Sequence, residues 1–119
     1  MARVVALVPD LLFGSKVEAM LQAAGHDVRL VGEEDYARAE APAADVLVVD
    51  LTSDDLDGAT LVESMRMGRE LGSTRTLAFY SHVDAATRRR AQDAGFDLVV
   101  PRSRMAREGA ELVSRLAGS

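Results

Sequence analysis

The sequence predicts an α/β fold: one parallel sheet with helices packed on both of its faces. Two observations carry this. Apolar, β-branched runs alternate five times with segments whose apolar residues recur at helical spacing. Gly and Pro punctuate the joints, at Gly25, Pro42, Gly72 and Gly95.

Strand one is read over Arg3 to Val8, nearly all apolar. Helix one follows, with Phe13, Val17, Met20, Leu21 and Ala24 on one face and Gly25 as its left-handed cap. Strand two, His26 to Val31, mixes polar and apolar residues, as an edge strand does. A short acidic helix spans Glu33 to Ala41 and stops at Pro42. Strand three is Asp45 to Val49, and its unbroken apolar run reads as a strand buried on both faces. Helix three runs from about Gly58 to Leu71, with Leu61, Val62 and Met65 inward and Gly72 after it. Strand four is Thr76 to Tyr80. Helix four starts after Asp84 as N-cap and ends at Gly95. Strand five is Asp97 to Val100. Helix five places Met105, Leu112, Val113 and Leu116 on one stripe, with Gly109 inside it at a cost of about 1 kcal/mol relative to Ala. Strands one, three and four are the most apolar and are placed centrally, which gives the order 2-1-3-4-5.

A chain of 119 residues is expected to form one domain, over 1–119, with no separate output domain and a core large enough to need no staples. It has no Cys, which excludes disulfides and thiolate metal sites and fits a cytoplasmic protein. The first apolar segment is too short for a signal peptide or a membrane span. A net charge of −5 argues against non-specific nucleic-acid binding, and an aromatic content of 4% against base-stacking platforms.

The most informative residue is Asp50. It follows Val46-Leu47-Val48-Val49 and opens a loop that leads to Gly58. Ligands in open α/β sheets bind outside the carboxyl ends of the strands, so Asp50 stands where chemistry is expected. A strand-end Asp can also cap a loop amide. The strand-end position and the spacing to Gly58 favour a site.

In these features the chain resembles the receiver domain of bacterial response regulators. The match covers essentially the whole length. It rests on Asp50 with Gly58 eight residues later, on Leu21-Gln22-Ala23-Ala24-Gly25-His26-Asp27-Val28, and on Ala91-Gln92-Asp93-Ala94-Gly95. The resemblance implies a flavodoxin-like (CheY-like) three-layer αβα sandwich. It also implies an acidic pair after strand one for Mg²⁺, a phosphoacceptor Asp after strand three, a Ser or Thr after strand four, and a Lys-Pro pair after strand five. Mg²⁺ is a hard cation that takes carboxylate oxygens. The transferred group spreads its charge over three oxygens that donors and cations must neutralise.

The chain keeps part of this set. Asp50 matches the phosphoacceptor. Pro9-Asp10 replaces the acidic pair, so Asp10 and Asp50 are the candidate metal ligands, with Asp10 equally suited to cap helix one. Ser81 is the expected hydroxyl residue, with Tyr80 the other residue able to hold that register. Thr52, Ser81 and Arg102 are the candidates to bind a phosphoryl group or another anion. Val100-Pro101-Arg102-Ser103 replaces Lys-Pro, and Arg, a planar fork, is not equivalent to Lys. The resemblance therefore implies an atypical or pseudo-receiver: a non-enzymatic signalling module that acts through a protein partner in trans, a histidine kinase or an output protein. A homodimer through helix four, strand five and helix five is expected by the same resemblance. Two alternatives stay open. One is a Mg²⁺-dependent phosphoreceiver with Asp50 as acceptor, and the other is a small-anion or metabolite domain using the same cleft.

Other motifs fail. Phe13-Gly14-Ser15-Lys16 is no P-loop, because Pro9 takes the first Gly position and Lys does not follow Gly14. No G-x-G-x-x-G follows strand one. Leu12 stands where a cobalamin-binding loop needs His. Arg88-Arg89-Arg90 reads as a solvated helix face or a partner surface, and Asp54-Asp55-Leu56-Asp57 as loop solvation and helix-dipole complement. His82 is a candidate pH-sensitive loop residue.

Overall fold

Five parallel strands assemble in the order β2-β1-β3-β4-β5, as the computed structural model shows. It describes residues 1–81 and 83–118, and His82 lies outside them. The elements are β1 (Arg3–Leu7), α1 (Leu11–Ala23), β2 (Asp27–Val31), α2 (Glu34–Glu40), β3 (Val46–Asp50), α3 (Gly58–Met67), β4 (Arg75–Tyr80), α4 (Ala85–Ala94), β5 (Leu98–Pro101) and α5 (Arg102–Ala117). The expected sandwich, strand order and edge position of β2 are thus found. Among the described residues no helix is long and apolar enough to cross a membrane.

Side-chain alternation along the strands divides the core in two. Val4, Ala6, Val46, Val48, Leu77, Phe79 and Val100 pack against α1 and α5 through Phe13, Val17, Leu21, Met105, Leu112 and Val113. Val5, Leu7, Leu47, Val49 and Ala78 pack against α2, α3 and α4 through Ala37, Leu61, Val62, Met65 and Ala91. Every residue of β3 is buried. Each of its large apolar side chains contributes about 1.5–3 kcal/mol relative to exposure.

Several boundaries differ from the sequence reading. Helix three ends at Met67 rather than Leu71, because Gly68 caps it and Arg69 turns to a positive φ of 56°. Leu71 is still buried, from the loop that follows. The acidic helix ends at Glu40, and Pro42 sits inside a 3-10 turn over Ala41–Ala43. Ala24 is the exposed C-cap of α1 and not part of its inner face. The last β1 and first β2 residues move inward, to Leu7 and Asp27. Strands three and five each move one residue on, to Val46–Asp50 and Leu98–Pro101, and Arg75 opens β4. His26, just before β2, is buried. Its Nδ1 accepts from the Ala2 N–H at 3.3 Å, so Nε2 donates to Ser114 Oγ at 3.0 Å and ties the end of α5 to the start of the chain. Gly109 has a packing reason: a Cβ there would meet Met20 Cε at 2.6 Å, where α1 and α5 approach closely.

Helix starts are set by aspartates. Asp84 caps α4 as the sequence indicated, and Asp57, read there as part of a solvated loop that complements a helix dipole, caps α3 through the Thr60 N–H. Hydrogen bonds from the Thr60 side chain and then its amide, with the Arg90 charge, hold the Asp57 carboxyl below its usual range. Thr87 does the same for Asp84. Arg38, hydrogen-bonded to Glu70, lowers that carboxyl too. Within the arginine run, Arg88 and Arg89 are exposed, and the half-exposed Arg90 also pairs with Glu63 of α3 at 3.1 Å.

Two predictions arise. A folded-state pKa below the unfolded value stabilises the fold above the unfolded value, and that stability is lost as pH falls through the folded value. Asp57, Asp84 and Glu70 start from 3.8, 3.8 and 4.5. The thermal midpoint should therefore hold from neutrality to about pH 5 and fall below about pH 4. Asp57→Asn with Asp84→Asn should flatten that slope, since Asn still caps a helix. At Gly58, a Cβ would meet Val49 Cγ1 at 2.4 Å and Leu51 Cδ2 at 3.0 Å. Gly58→Ala should cost about 1–3 kcal/mol in chemical denaturation, through overpacking where α3 starts against β3.

Candidate functional site

The carboxyl ends of β1, β3, β4 and β5 converge on a shallow cleft of about 400 Å³, lined by Phe13, Thr52, Ser81, Arg102, Ser103 and Ala106. All three sequence-derived anion candidates, Thr52, Ser81 and Arg102, therefore share one cleft. Tyr80, the other candidate for the Ser81 register, is buried at the end of β4.

Asp50 ends β3 and is 1% exposed. By strand alternation it shares the α1/α5 face with Val46 and Val48. Its backbone is pinned on the sheet: it lies in register with Phe79, and the next amide, Leu51 N–H, donates to the Phe79 carbonyl at 2.9 Å. Asp50 Oδ1 accepts from the Thr52 N–H at 2.7 Å and from Thr52 Oγ1 at 2.6 Å. This is an Asx turn. Asp50 Oδ2 is buried with no hydrogen-bond partner among the described residues. Buried polar atoms are nearly always paired, so an unpaired carboxylate oxygen marks a place where stability is given up. Sequence reasoning offered a capping role or a site role for Asp50, and Oδ1 takes the capping one.

Asp10 is the N-cap of α1. Its Oδ1 accepts from the Leu12 N–H at 2.9 Å and the Phe13 N–H at 3.0 Å. Its Oδ2 lies 3.6 Å from the Arg102 guanidinium. The Phe13 amide above all, then the Leu12 amide and the Arg102 charge, hold this carboxyl below its usual range. Arg102 is the first residue of α5. It lies over the Phe13 ring, 4.0 Å from the centroid, a cation–π contact. Phe13 in turn packs on Phe79, with ring centroids 5.2 Å apart. The position in register with Phe79 on β5 is Val100, which is fully buried. The row that contains Asp50 thus ends on an apolar side chain, and the cation expected after strand five stands two residues farther on, beside Asp10. Among the described residues no group of three or more His, Cys, Asp and Glu is arranged to hold a metal ion.

Phe13 was read only as a core residue. It is also the platform that seats Arg102, a pairing across 89 residues that no local pattern reveals. Ser103 and Ala106 are further lining residues the sequence did not single out.

Comparison with solved structures places this geometry. The receiver domain of a Pseudomonas aeruginosa sensor histidine kinase, with a magnesium ion coordinated in its active-site cleft, aligns with TM-score 0.85 at 20% identity, covering 99% of this chain and 98% of that one. The chain has the receiver-domain fold. A Francisella response-regulator receiver domain aligns with TM-score 0.85 at 17% identity, over 99% of this chain and 98% of that one. The chemotaxis response regulator CheY4 of Vibrio cholerae aligns with TM-score 0.81 at 19% identity, over 98% of both chains. No protein-family model matches the chain, and no curated protein matches it in sequence.

The unpaired Asp50 oxygen yields a prediction. Asp50→Asn keeps an acceptor for Thr52 and removes a buried charge. Its stability should equal that of the native chain or exceed it by about 1 kcal/mol in urea denaturation. A loss of about 2 kcal/mol or more would mean that the carboxylate is compensated in the fold.

Proposed function

We propose that this chain is an atypical receiver domain of two-component signalling, which works by protein contact and has lost much of the chemistry of phosphoryl transfer. The carrying observation is the placement of Arg102. It is seated on Phe13 and directed to Asp10, while Val100 fills the β5 position in the Asp50 row. Phosphoryl transfer to Asp50 needs a cation and donors at the acceptor to neutralise charge on the transferring oxygens. Ser81 and Thr52 remain at the cleft as donors, but Thr52 is already engaged with Asp50.

Magnesium, present in the Pseudomonas receiver, does not fit the residues here as they stand. Mg²⁺ takes near-octahedral oxygen coordination, through carboxylates and water. Asp10 has one oxygen committed to two amides and the other beside a guanidinium, which leaves Asp50 Oδ2 as the one uncommitted carboxylate oxygen of the pair. The pairing of Arg102 with Asp10 also disfavours the small-anion reading, because it neutralises the cation of the cleft.

The domain acts without enzymatic turnover, in the cytoplasm, on a protein partner: a histidine kinase, an output protein or a second copy of the chain. The face supported for this contact is α4–β5–α5, where Val83, Arg88 and Arg89 are exposed before and along α4. Intact mass after incubation with acetyl phosphate and Mg²⁺ tests the reading. The expected spectrum is that of the unmodified chain. A phosphoryl adduct present on the native chain and absent from Asp50→Asn would overturn it in favour of a competent phosphoreceiver.

A further inference from the structure

The geometry points to Arg102 as a built-in counter-ion to Asp10 that stands in the place of a divalent cation, making the cleft metal-independent. This deepens the reading just given for the same site.

Three observations carry it. The first is charge. Two carboxylates end neighbouring segments, Asp10 after β1 and Asp50 on β3, and β1 and β3 are paired up to Leu7 and Val49. Negative charge gathered at one end of a sheet is stabilised by a cation. The cation provided is a guanidinium, 3.6 Å from Asp10 Oδ2. The second is placement. A long Arg side chain pays conformational entropy to stay in one position. Here that cost is offset by the cation–π contact on Phe13, which is itself packed on the fully buried Phe79. Arg102 also opens α5 directly after β5, so its backbone is set by the sheet rather than by a loop. The third is exclusion. A second, doubly charged ion beside Asp10 would be repelled by the guanidinium seated there, and it would have to draw Asp10 Oδ2 out of its ion pair. Asp50 Oδ2, buried and unpaired, is the second carboxylate oxygen that would become a ligand if the guanidinium were absent.

The device is therefore reversible by one substitution. Arg102→Gln keeps a polar side chain of similar reach and removes the charge. The side chain of Arg102 is 40% exposed, so the fold should tolerate the change. Isothermal titration calorimetry with MgCl₂, and Mn²⁺ titration followed by electron paramagnetic resonance, report ion binding without any phosphoryl chemistry. The native chain and Arg102→Lys should show no saturable binding in the millimolar range. Arg102→Gln should bind at least about tenfold more tightly than the native chain. That gain should vanish on adding Asp50→Asn or Asp10→Asn, of which the latter still caps α1. Circular dichroism melts confirm that each variant is folded, and Arg102→Met serves as a second neutral variant should Arg102→Gln not be.

Saturable Mg²⁺ binding by the native chain, equal to that of the neutral variant, would overturn the inference. So would a folded neutral variant that gains no binding, or a gain that survives loss of both carboxylates. Because ion binding is measured apart from the acetyl phosphate reaction, this inference and the functional reading can fail separately.

Discussion

Everything at the cleft depends on β3 being buried on both faces. A central parallel strand has no solvent side, so a carboxylate at its end is delivered into the interior, whatever its role. Asp50 is held there by pairing on both sides of it: its own register with Phe79 and the following Leu51 amide on the Phe79 carbonyl. Turning the carboxylate outward would break the last rung of the β3–β4 ladder. The loop after it has to leave the sheet and return within a few residues, and Gly58 lets α3 begin against Val49, where a methyl group would collide. The spacing between Asp50 and Gly58 is thus a packing requirement of this corner of the fold, and it would persist in a chain whose acceptor chemistry had lapsed.

The same economy governs Asp10. One residue caps α1 through two amides and neutralises Arg102. The start of α1, the start of α5 and the aromatic pair Phe13–Phe79 are therefore one connected unit. An aspartate serving a helix dipole has less charge to lend to a bound ion, and an arginine seated on a ring has less freedom to follow a ligand. These groups are preorganised around their own charges.

How much of this could be read from the sequence follows from which forces are local. Apolar runs and helical stripes reflect burial that repeats along the chain, so the sandwich, the strand order and the inner residues Leu61, Val62, Met65, Met105 and Leu112 were legible. Caps at Asp84 and Gly95 were legible because capping is decided within one turn. The end of α3 was not, since Gly68 and the positive φ of Arg69 outweigh a hydrophobic Leu71 that the core still recruits. Near the cleft, residue types at strand ends singled out Asp10, Asp50, Thr52, Ser81 and Arg102 as candidates, of which Thr52, Ser81 and Arg102 line it. Their pairing was hidden. Which oxygen of Asp50 is bonded, and that Arg102 turns to Asp10 across Phe13, depends on contacts between segments far apart in sequence. The ion pair of Arg90 was hidden for the same reason: its partner Glu63 lies on another helix.

Helices α2, α3 and α4 lie side by side on one face of the sheet. The acidic first turn of α2, with Glu34 and Asp35, sits at one edge, and the exposed Arg88 and Arg89 of α4 sit at the other. The two edges of this face, on a body about 31 Å across, thus present exposed groups of opposite sign. Their field extends about one Debye length, roughly 8 Å at physiological salt, beyond the surface. It acts before any contact forms, as a torque. A protein approaching this face would be rotated into one azimuth in preference to its reverse, so that the orientation of docking is partly chosen during diffusion.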